Sequence, residues 1–217
     1  MNDQYPLDPP KVPKANSDDG LLQTVDLNQP VPVDVLVWDG ARPGYLVQLR
    51  LDADLVDAPI ALSEQRPGDV IQLQLSHHLL SDNRSYTLRF QATNNVNGVT
   101  RESPSTILRV DRTQPGATLL APMILPTATF GDHLTGLIPG YAGMEKGDVI
   151  QILLNGIEGP THLVPAEELT LRPVEITFIR EDLHAHAGEN VSIEYFVTDR
   201  AGNASITSLP TLVSVKL

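Results

Sequence analysis

The stretch SYTLRFQATNNVNGVTRESPSTILRV, Ser85 to Val110, has a counterpart in the same chain at NVSIEYFVTDRAGNASITSLPTLVSV, Asn190 to Val215. Apolar and polar residues alternate in both, which is the pattern of half-buried β-strands. The offset between the two is 190 − 85 = 105 residues. It pairs Leu88 with Ile193, Phe90 with Tyr195 and Ala92 with Val197, and one inserted residue then brings Pro104 onto Pro210.

The repeat continues upstream at a slightly smaller offset. GYLVQLRLD (44–52) aligns with GDVIQILLN (147–155), so the offset there is 147 − 44 = 103. This predicts two homologous units of roughly 100 residues that meet between Val110 and Gly116. The pentapeptide GDVIQ occurs at 68–72 and again at 147–151, but that spacing aligns little else. We interpret it as a Gly-Asp turn that leads into an aliphatic strand at two different places.

Turn residues predict many short strands in each unit. Pro and Gly breaks fall every 8 to 15 residues along the chain, and such spacing is typical of an antiparallel sandwich. We therefore predict an all-β fold of two tandem immunoglobulin-like antiparallel β-sandwiches. Residues 20–112 form the first and residues 113–217 the second, after a flexible N-terminal segment at 1–19. The first strands of the two units are expected near 22–26 and 117–124.

Composition limits the partners and the compartment. The net charge of −12 argues against nucleic acid, because phosphate binding needs a basic surface. The chain has no cysteine, so neither a disulfide framework nor a thiolate site is expected. We find no apolar run long enough for a secretory signal or a membrane span. The expectation is no membrane insertion, and either a cytoplasmic chain, one exported without an N-terminal signal, or a piece of a larger protein.

Two further stretches carry a resemblance to a known family. YFVTDRAGNAS (195–205), followed by SLPTLVSV, resembles the closing hairpin of bacterial immunoglobulin-like repeats, and VDRTQPG (110–116) resembles the junction between such repeats. The first unit departs from the pattern, with ATNNVNG in place of VTDRAGN. The resemblance implies a surface or exported protein, and in many such repeats calcium stiffens the junction.

Catalytic motifs are missing from the sequence. It contains no GxSxG, P-loop, GxGxxG or HExxH pattern, so we do not expect an enzyme. His184 and His186 have the most metal-like spacing, but no third ligand is suggested and zinc needs three or four. Trp38 is either a core or interface anchor or, less favoured, a platform for a sugar ring.

One constellation points to a cation. In a seven-strand sandwich, the loop between the last two strands lies at the same end as the start of the first strand. Asp111, Asp199 and Asp82 are therefore expected to gather at the junction, where carboxylates and carbonyls would suit calcium. The alternative is that Asp111 caps a turn and Asp199 braces the DRAGN turn.

Two functional classes stay open. The first is a non-enzymatic rod, spacer or adhesive module attached to neighbouring domains of a larger protein. The second is a recognition domain, lectin-like or receptor-binding, of a larger secreted toxin or enzyme. Its binding surface would be the tip formed by Asn94, Asn95 and Asn97, and its partner a cell-surface glycan or protein.

Overall fold

The computed structural model describes residues 6–126, 133–169, 173–179 and 188–215. Within these residues the chain is all-β, with short 3-10 segments at Thr24–Asn28, His77–Leu80 and Ala166–Leu169. The chain divides into two compact units, Met1–Arg112 and Thr113–Leu217. No helix in the described part of the chain is long and apolar enough to cross a membrane.

The first unit has two antiparallel sheets on either side of one core. In one sheet β1 pairs with β4, and in the other the strand order is β3-β2-β5-β6, with β7 also paired to β5. Inward residues such as Val33, Leu49 and Phe90 come from both sheets and belong to the same buried cluster. The strands are β1 (Val31–Leu36), β2 (Leu46–Leu51), β3 (Asp54–Ala61), β4 (Val70–Leu75), β5 (Ser85–Thr93), β6 (Thr100–Glu102) and β7 (Thr106–Arg109).

The second unit repeats this plan. One sheet pairs β8 with β11, and the other has the order β10-β9-β12-β13. Ile138, Ile152 and Tyr195 are fully buried in its single core. The strands are β8 (His133–Ile138), β9 (Val149–Leu154), β10 (Ile157–Leu163), β11 (Val174–Ile179), β12 (Gly188–Thr198) and β13 (Thr211–Val215).

Matching hydrogen bonds fix the correspondence between the units. The amide of Phe90 donates to Oγ of Ser103 at 3.0 Å, and the amide of Tyr195 donates to Oγ of Ser208 at 3.0 Å. The same 105-residue offset relates the hydroxyls of Thr106 and Thr211, which both donate to a carbonyl of an upstream segment. Phe90 therefore corresponds to Tyr195, but the predicted insertion is wrong. Pro104 corresponds to Leu209 and not to Pro210.

The GDVIQ copies form the same turn at two non-equivalent places. Gly68 and Gly147 have φ of +92° and +94°, a conformation that glycine adopts without steric cost. In each copy the aspartate side chain accepts from the amide three residues earlier, Asp69 from Arg66 at 2.7 Å and Asp148 from Glu145 at 3.0 Å. The first copy precedes β4 and the second precedes β9. The pentapeptide is thus a turn motif and not the repeat itself.

The N-terminal segment differs from the expectation of a flexible tail. Lys11 and Asp34 exchange both backbone hydrogen bonds at 2.8 Å, as Ile124 and Leu137 do in the second unit. Leu7 is 5% exposed and belongs to the core, so the segment from Leu7 onward is the edge of the first unit. The prolines around these residues suggest a linker when only the sequence is considered, but they also favour an extended edge conformation.

The predicted first strands are wrong in a related way. The strand expected near 22–26 is not formed, and Thr24–Asn28 is a 3-10 segment instead. Residues 117–124 contribute only the isolated bridge at Ile124. Proline interrupts hydrogen bonding along both edge segments, which carry PPKVP at 9–13 and APMILP at 121–126. Short bridges therefore replace the full strands that alternation alone suggests.

The outer edge strands β3 and β10 are both interrupted. The pairing of β2 with β3 shifts between Val47 and Leu49, opposite Pro59, and that of β9 with β10 shifts between Glu158 and Thr161, at Pro160. A bulge and a proline on an edge strand make it a poor template for pairing with another chain. Both units therefore carry the same protection against edge-to-edge association.

Candidate functional site

The predicted binding tip is the hairpin between β5 and β6. Its turn is closed by Asn94, whose amide donates to the carbonyl of Val99 at 2.9 Å and whose carbonyl accepts from Gly98 at 2.8 Å. Oδ1 of Asn94 accepts from the amide of Val96 at 2.9 Å, and Oδ1 of Asn97 accepts from Val99 at 3.0 Å. The two asparagine side chains therefore hold the turn, which is a common use of asparagine in loops.

The remaining amide groups at this tip also contact the protein. Nδ2 of Asn94 donates to the Tyr45 hydroxyl at 2.9 Å. A Cβ added to Gly44 would lie 2.4 Å from Nδ2 of Asn95, so Asn95 packs closely over that glycine. The tip exposes Val96, at 89%, and Val99, at 52%, beside the exposed Asn95 and Asn97. The surface of the tip is thus mixed, with aliphatic groups next to polar ones.

The three aspartates predicted as calcium ligands each have a local partner. Asp111 lies 3.6 Å from Nη2 of Arg109, and Asp82 lies 3.9 Å from Nε of Arg84. Asp199 accepts from the amide and from Nδ2 of Asn203, both at 2.8 Å, so it braces the DRAGN turn. Among the described residues no group of three His, Asp or Glu side chains is arranged to hold a metal ion. The calcium site stays a prediction.

A buried carboxylate in the second unit was not expected. Asp148 is 0% exposed, and its Oδ2 accepts from the Tyr141 hydroxyl at 2.8 Å and from the amide of Glu145 at 3.0 Å. Its Oδ1 has no hydrogen-bond partner among the described residues. Burial raises the pKa of Asp148, and the nearby negative charges of Asp199 and Glu145 raise it further. Burial and the same carboxylate also raise the pKa of Tyr141.

The first unit has an apolar pair at the corresponding position. The amide of Gly44 donates to Leu62 at 2.7 Å as that of Gly147 donates to Val164 at 2.8 Å, which matches Tyr45 to Asp148. Tyr45 stands edge to face with Trp38 at a ring distance of 5.7 Å. Trp38 is 6% exposed and therefore anchors the core. This observation favours the packing role over the sugar-stacking alternative.

The outer face of the second unit's larger sheet exposes several apolar side chains among polar ones that include Gln151, Glu158 and Glu194. We call this surface the apolar face of β10-β9-β12-β13. Leu163 is 64% exposed and Leu212 66% exposed, and Val149 beside Leu163 is 37% exposed. The apolar face comprises Val149, Leu153, Leu163, Phe196 and Leu212, which alternate along the strands with core residues.

The corresponding face of the first unit carries arginines, and we call it the arginine face of β3-β2-β5. Arg50 and Arg89 are direct cross-strand neighbours. Arg50 contacts Glu102 and donates to the carbonyl of Ala53 at 2.7 Å. The Arg89 side chain has no hydrogen bond or ion pair within the described residues. Like charges directly opposite each other on a sheet repel, and Glu102 neutralises one of the two guanidinium groups.

Three of the described histidines contact other side chains of the chain. Nε2 of His162 lies 2.7 Å from Oε2 of Glu168, which ties β10 to the 3-10 segment after it. His77 and His78 stack edge to face on the segment between β4 and β5. His184 and His186 lie outside the described residues.

An open groove of about 800 Å³ runs between the N-terminal segment and β7. Its charged lining comprises Lys11, Asp18, Asp19 and Asp34, so acidic side chains outnumber basic ones in the groove.

Comparison with known proteins gives a fold and no family. No protein-family model and no curated protein matches the chain. Among solved structures, the chain is similar to one described as "Structural insight into host cell surface retention of a 1.5-MDa bacterial ice-binding adhesin", with 15% identity and a TM-score of 0.51. That match covers 98% of this chain and 64% of the other, so this chain spans less than two thirds of the adhesin structure's length.

A second similar structure holds fibronectin(III)-like modules of Clostridium thermocellum CbhA, with 14% identity, a TM-score of 0.47, and coverage of 95% of this chain and 94% of the other. Identities this low indicate fold alone. Together with the strand order, the adhesin match gives the chain an all-β, immunoglobulin-like fold.

Proposed function

We propose that the chain is a non-enzymatic tandem module of a bacterial surface or exported protein, in which two immunoglobulin-like sandwiches serve as a spacer or adhesive unit. The observation that carries the proposal is the repetition of one structural plan. The same serine accepts from the central strand in each unit, at Ser103 and at Ser208. Repetition of a stable module adds length without a new fold, which is the physical use of tandem repeats.

The interrupted edges support the same role. A chain that stands among many copies on a surface meets other edge strands at high local concentration, and open edges would pair. Pro59 and Pro160 interrupt the corresponding edges of the two units. Similarity to an adhesin structure agrees with a surface location, and the sequence contains no GxSxG, P-loop, GxGxxG or HExxH pattern.

Shape and activity test this proposal together. Small-angle scattering of the intact chain is expected to give a maximum dimension about twice that of one roughly 100-residue domain, whose radius of gyration is about 13 Å. A compact particle near the size of a single globule would contradict the spacer role. Turnover of glycosides, esters, peptides or phosphoesters in an activity screen would contradict the non-enzymatic assignment.

A recognition role is the second candidate, favoured by the exposure of Val96 at the hairpin tip. A glycan array and a receptor-binding assay with Val96→Ser address the contact surface, because this change leaves the asparagine hydrogen bonds of the turn intact. Asn97→Ala removes the side-chain hydrogen bond to Val99 and so changes the turn itself, whereas Asn95→Ala removes an exposed amide. Binding that is lost in Val96→Ser or Asn95→Ala would support the tip as a contact surface, and binding lost only in Asn97→Ala would indicate a structural effect.

A further inference from the structure

Two corresponding sheet faces of this chain carry complementary groups. In the second unit, one cross-strand row reads Glu158, Leu153 and Glu194. The matching row of the first unit reads Leu55, Arg50 and Arg89. The correspondence follows from the shared offsets, 50 + 103 = 153 and 89 + 105 = 194. One row therefore places carboxylates on either side of a leucine, and the other places a leucine beside two guanidinium groups.

The charges of both rows are poorly neutralised within their own units. In the described part of the chain Arg89 has no ion pair and Arg50 has one, to Glu102. Glu194 only accepts from the Ser192 hydroxyl at 3.4 Å, and neither it nor Glu158 makes an ion pair among the described residues. A carboxylate placed over the Arg50 and Arg89 pair would relieve the cost of two like charges standing opposite each other.

Exposed apolar groups lie on both faces as well. The apolar face exposes Leu163, Leu212 and Val149, and the arginine face exposes Leu55 at 46%, with Ile107 at 48% on the adjoining strand β7. Contact between the faces would bury these side chains and exclude water from the ion pairs, which strengthens charge recognition. The interruptions in β3 and β10 make edge pairing less favourable at those two strands.

We propose that the arginine face of one copy binds the apolar face of a second copy. The contact joins two different surfaces, so it is heterologous and can extend from copy to copy. Six-residue strands of about 20 Å and four strands of about 4.8 Å spacing give a face of only some hundreds of Å², well below a standard interface. The association is therefore weak in dilute solution and is strengthened where many copies share one surface.

Charge reversal of single residues tests the proposal on the intact chain. We expect wild-type chain to self-associate in sedimentation equilibrium between about 10 and about 500 µM at low salt, and less at high salt. Arg89→Glu places a new carboxylate against Glu194 of the next copy, and Glu194→Arg places a new guanidinium group against Arg89. Each variant alone should associate at least about tenfold more weakly.

Mixing the two variants is the decisive measurement. In a one-to-one mixture, the carboxylate introduced at position 89 of one variant meets the guanidinium group introduced at position 194 of the other. The unchanged Arg89 of the second variant and the unchanged Glu194 of the first form the wild-type pair. Association is therefore expected to return in the mixture. Arg66→Glu and Glu175→Arg, which make the same charge changes at exposed positions elsewhere in the two units, should leave association unchanged.

Three results would overturn the proposal. Wild-type chain could remain monomeric throughout the concentration series. The Arg89 and Glu194 variants could associate as the wild type does, or the mixture could fail to recover although circular dichroism shows both variants folded. The spacer function does not depend on this contact, so its scattering test is independent of these outcomes.

Discussion

The two units place different chemistry on the same backbone turn. In the first unit, Tyr45 packs its ring against Trp38, with a distance of 5.7 Å between ring centres. In the second, Asp148 occupies that position and accepts a hydrogen bond from Tyr141. The neighbouring positions change in the same direction, from Arg42 to Glu145 and from Asn94 to Asp199. This comparison teaches that the fold depends on the turn and on the burial of the site, while the charge of that end is free to vary.

The hydroxyls of buried tyrosines also bond to different partners in the two units. Tyr86 in the first unit bonds through its hydroxyl to the backbone of Asp82 four residues earlier, as acceptor at 3.0 Å and donor at 3.3 Å. This is the geometry of a tyrosine corner. The second unit has buried Val191 there, and instead Tyr195 donates to the carbonyl of Ala121 at 2.7 Å. In each unit one of these tyrosine hydroxyls therefore bonds a different backbone segment to the core.

The largest expected effect comes from the matched central residues. Phe90→Ala and Tyr195→Ala should each destabilise their own unit by about 3 to 5 kcal/mol, because a fully buried ring leaves a cavity. Trp38, the only tryptophan, lies 6.2 Å from Phe90 in ring-centre distance, so its fluorescence follows the first unit. In urea, Phe90→Ala should shift the fluorescence transition, whereas Tyr195→Ala should shift only the circular dichroism of the second unit.

Outward neighbours provide the control for this measurement. Gln91→Ala and Phe196→Ala change the adjacent residue on the outer face and should cost much less, since little buried volume is lost. A Tyr195→Ala variant that moves the Trp38 transition as far as Phe90→Ala does would mean that the units unfold together. The comparison between independent units would then fail.

Removal of single hydroxyls should have a smaller effect. Tyr86→Phe removes both hydrogen bonds between the hydroxyl and Asp82, and Tyr195→Phe removes the one to Ala121. Each variant is expected to be destabilised by about 1 kcal/mol. The Tyr86 variant should shift the Trp38 fluorescence midpoint and the Tyr195 variant should not. Equal effects of Tyr86→Phe on both transitions would contradict the assignment of these bonds to the first unit alone.

Sequence reasoning reached the repeat but missed what lies inside it. Alternation gave the long strands and paired Phe90 with Tyr195, since burial on one face imposes a period of two. It could not identify the Leu7 segment as an edge, because proline-rich sequence is compatible with both a linker and an extended edge. Nor could it find the burial of Asp148, which depends on Tyr141 seven residues earlier in the chain and on the tight turn at Gly147.

The binding tip shows a similar limit. Asn94 and Asn97 suggested polar recognition, but an asparagine in a turn can bond its own backbone, and alternation does not distinguish the two uses. The arginine and apolar faces were also overlooked. The alignment of the two halves contained the information, because it matches Arg89 with Glu194 and Gln91 with Phe196.

Calcium bound at the predicted site should act on both units, because Asp82 and Asp111 belong to the first unit and Asp199 to the second. We expect millimolar calcium to raise the melting temperature by a few degrees, about the effect of 1 kcal/mol on a domain of this size. Trp38 fluorescence should report the shift in the first unit, and either Asp111→Asn or Asp199→Asn should remove it. An unchanged melting curve with calcium and with chelator would exclude the ion.

The smallest expected effect is the pH dependence of the second unit, which follows from Asp148. Burial raises its folded-state pKa above the ordinary value, so the folded state holds this proton more tightly than the unfolded state. The favourable contribution of Asp148 is therefore present at acid pH and is lost as pH rises through the raised pKa. Asp148→Asn is nearly isosteric and cannot ionise, so its stability relative to wild type should increase between acid and neutral pH.

Tyr45 provides the matched site, and Tyr45→Phe should show no such trend in Trp38 fluorescence. Parallel pH profiles for wild type and Asp148→Asn would mean that the carboxylate titrates alike in both states, and the contrast between the two turns would then be one of packing alone.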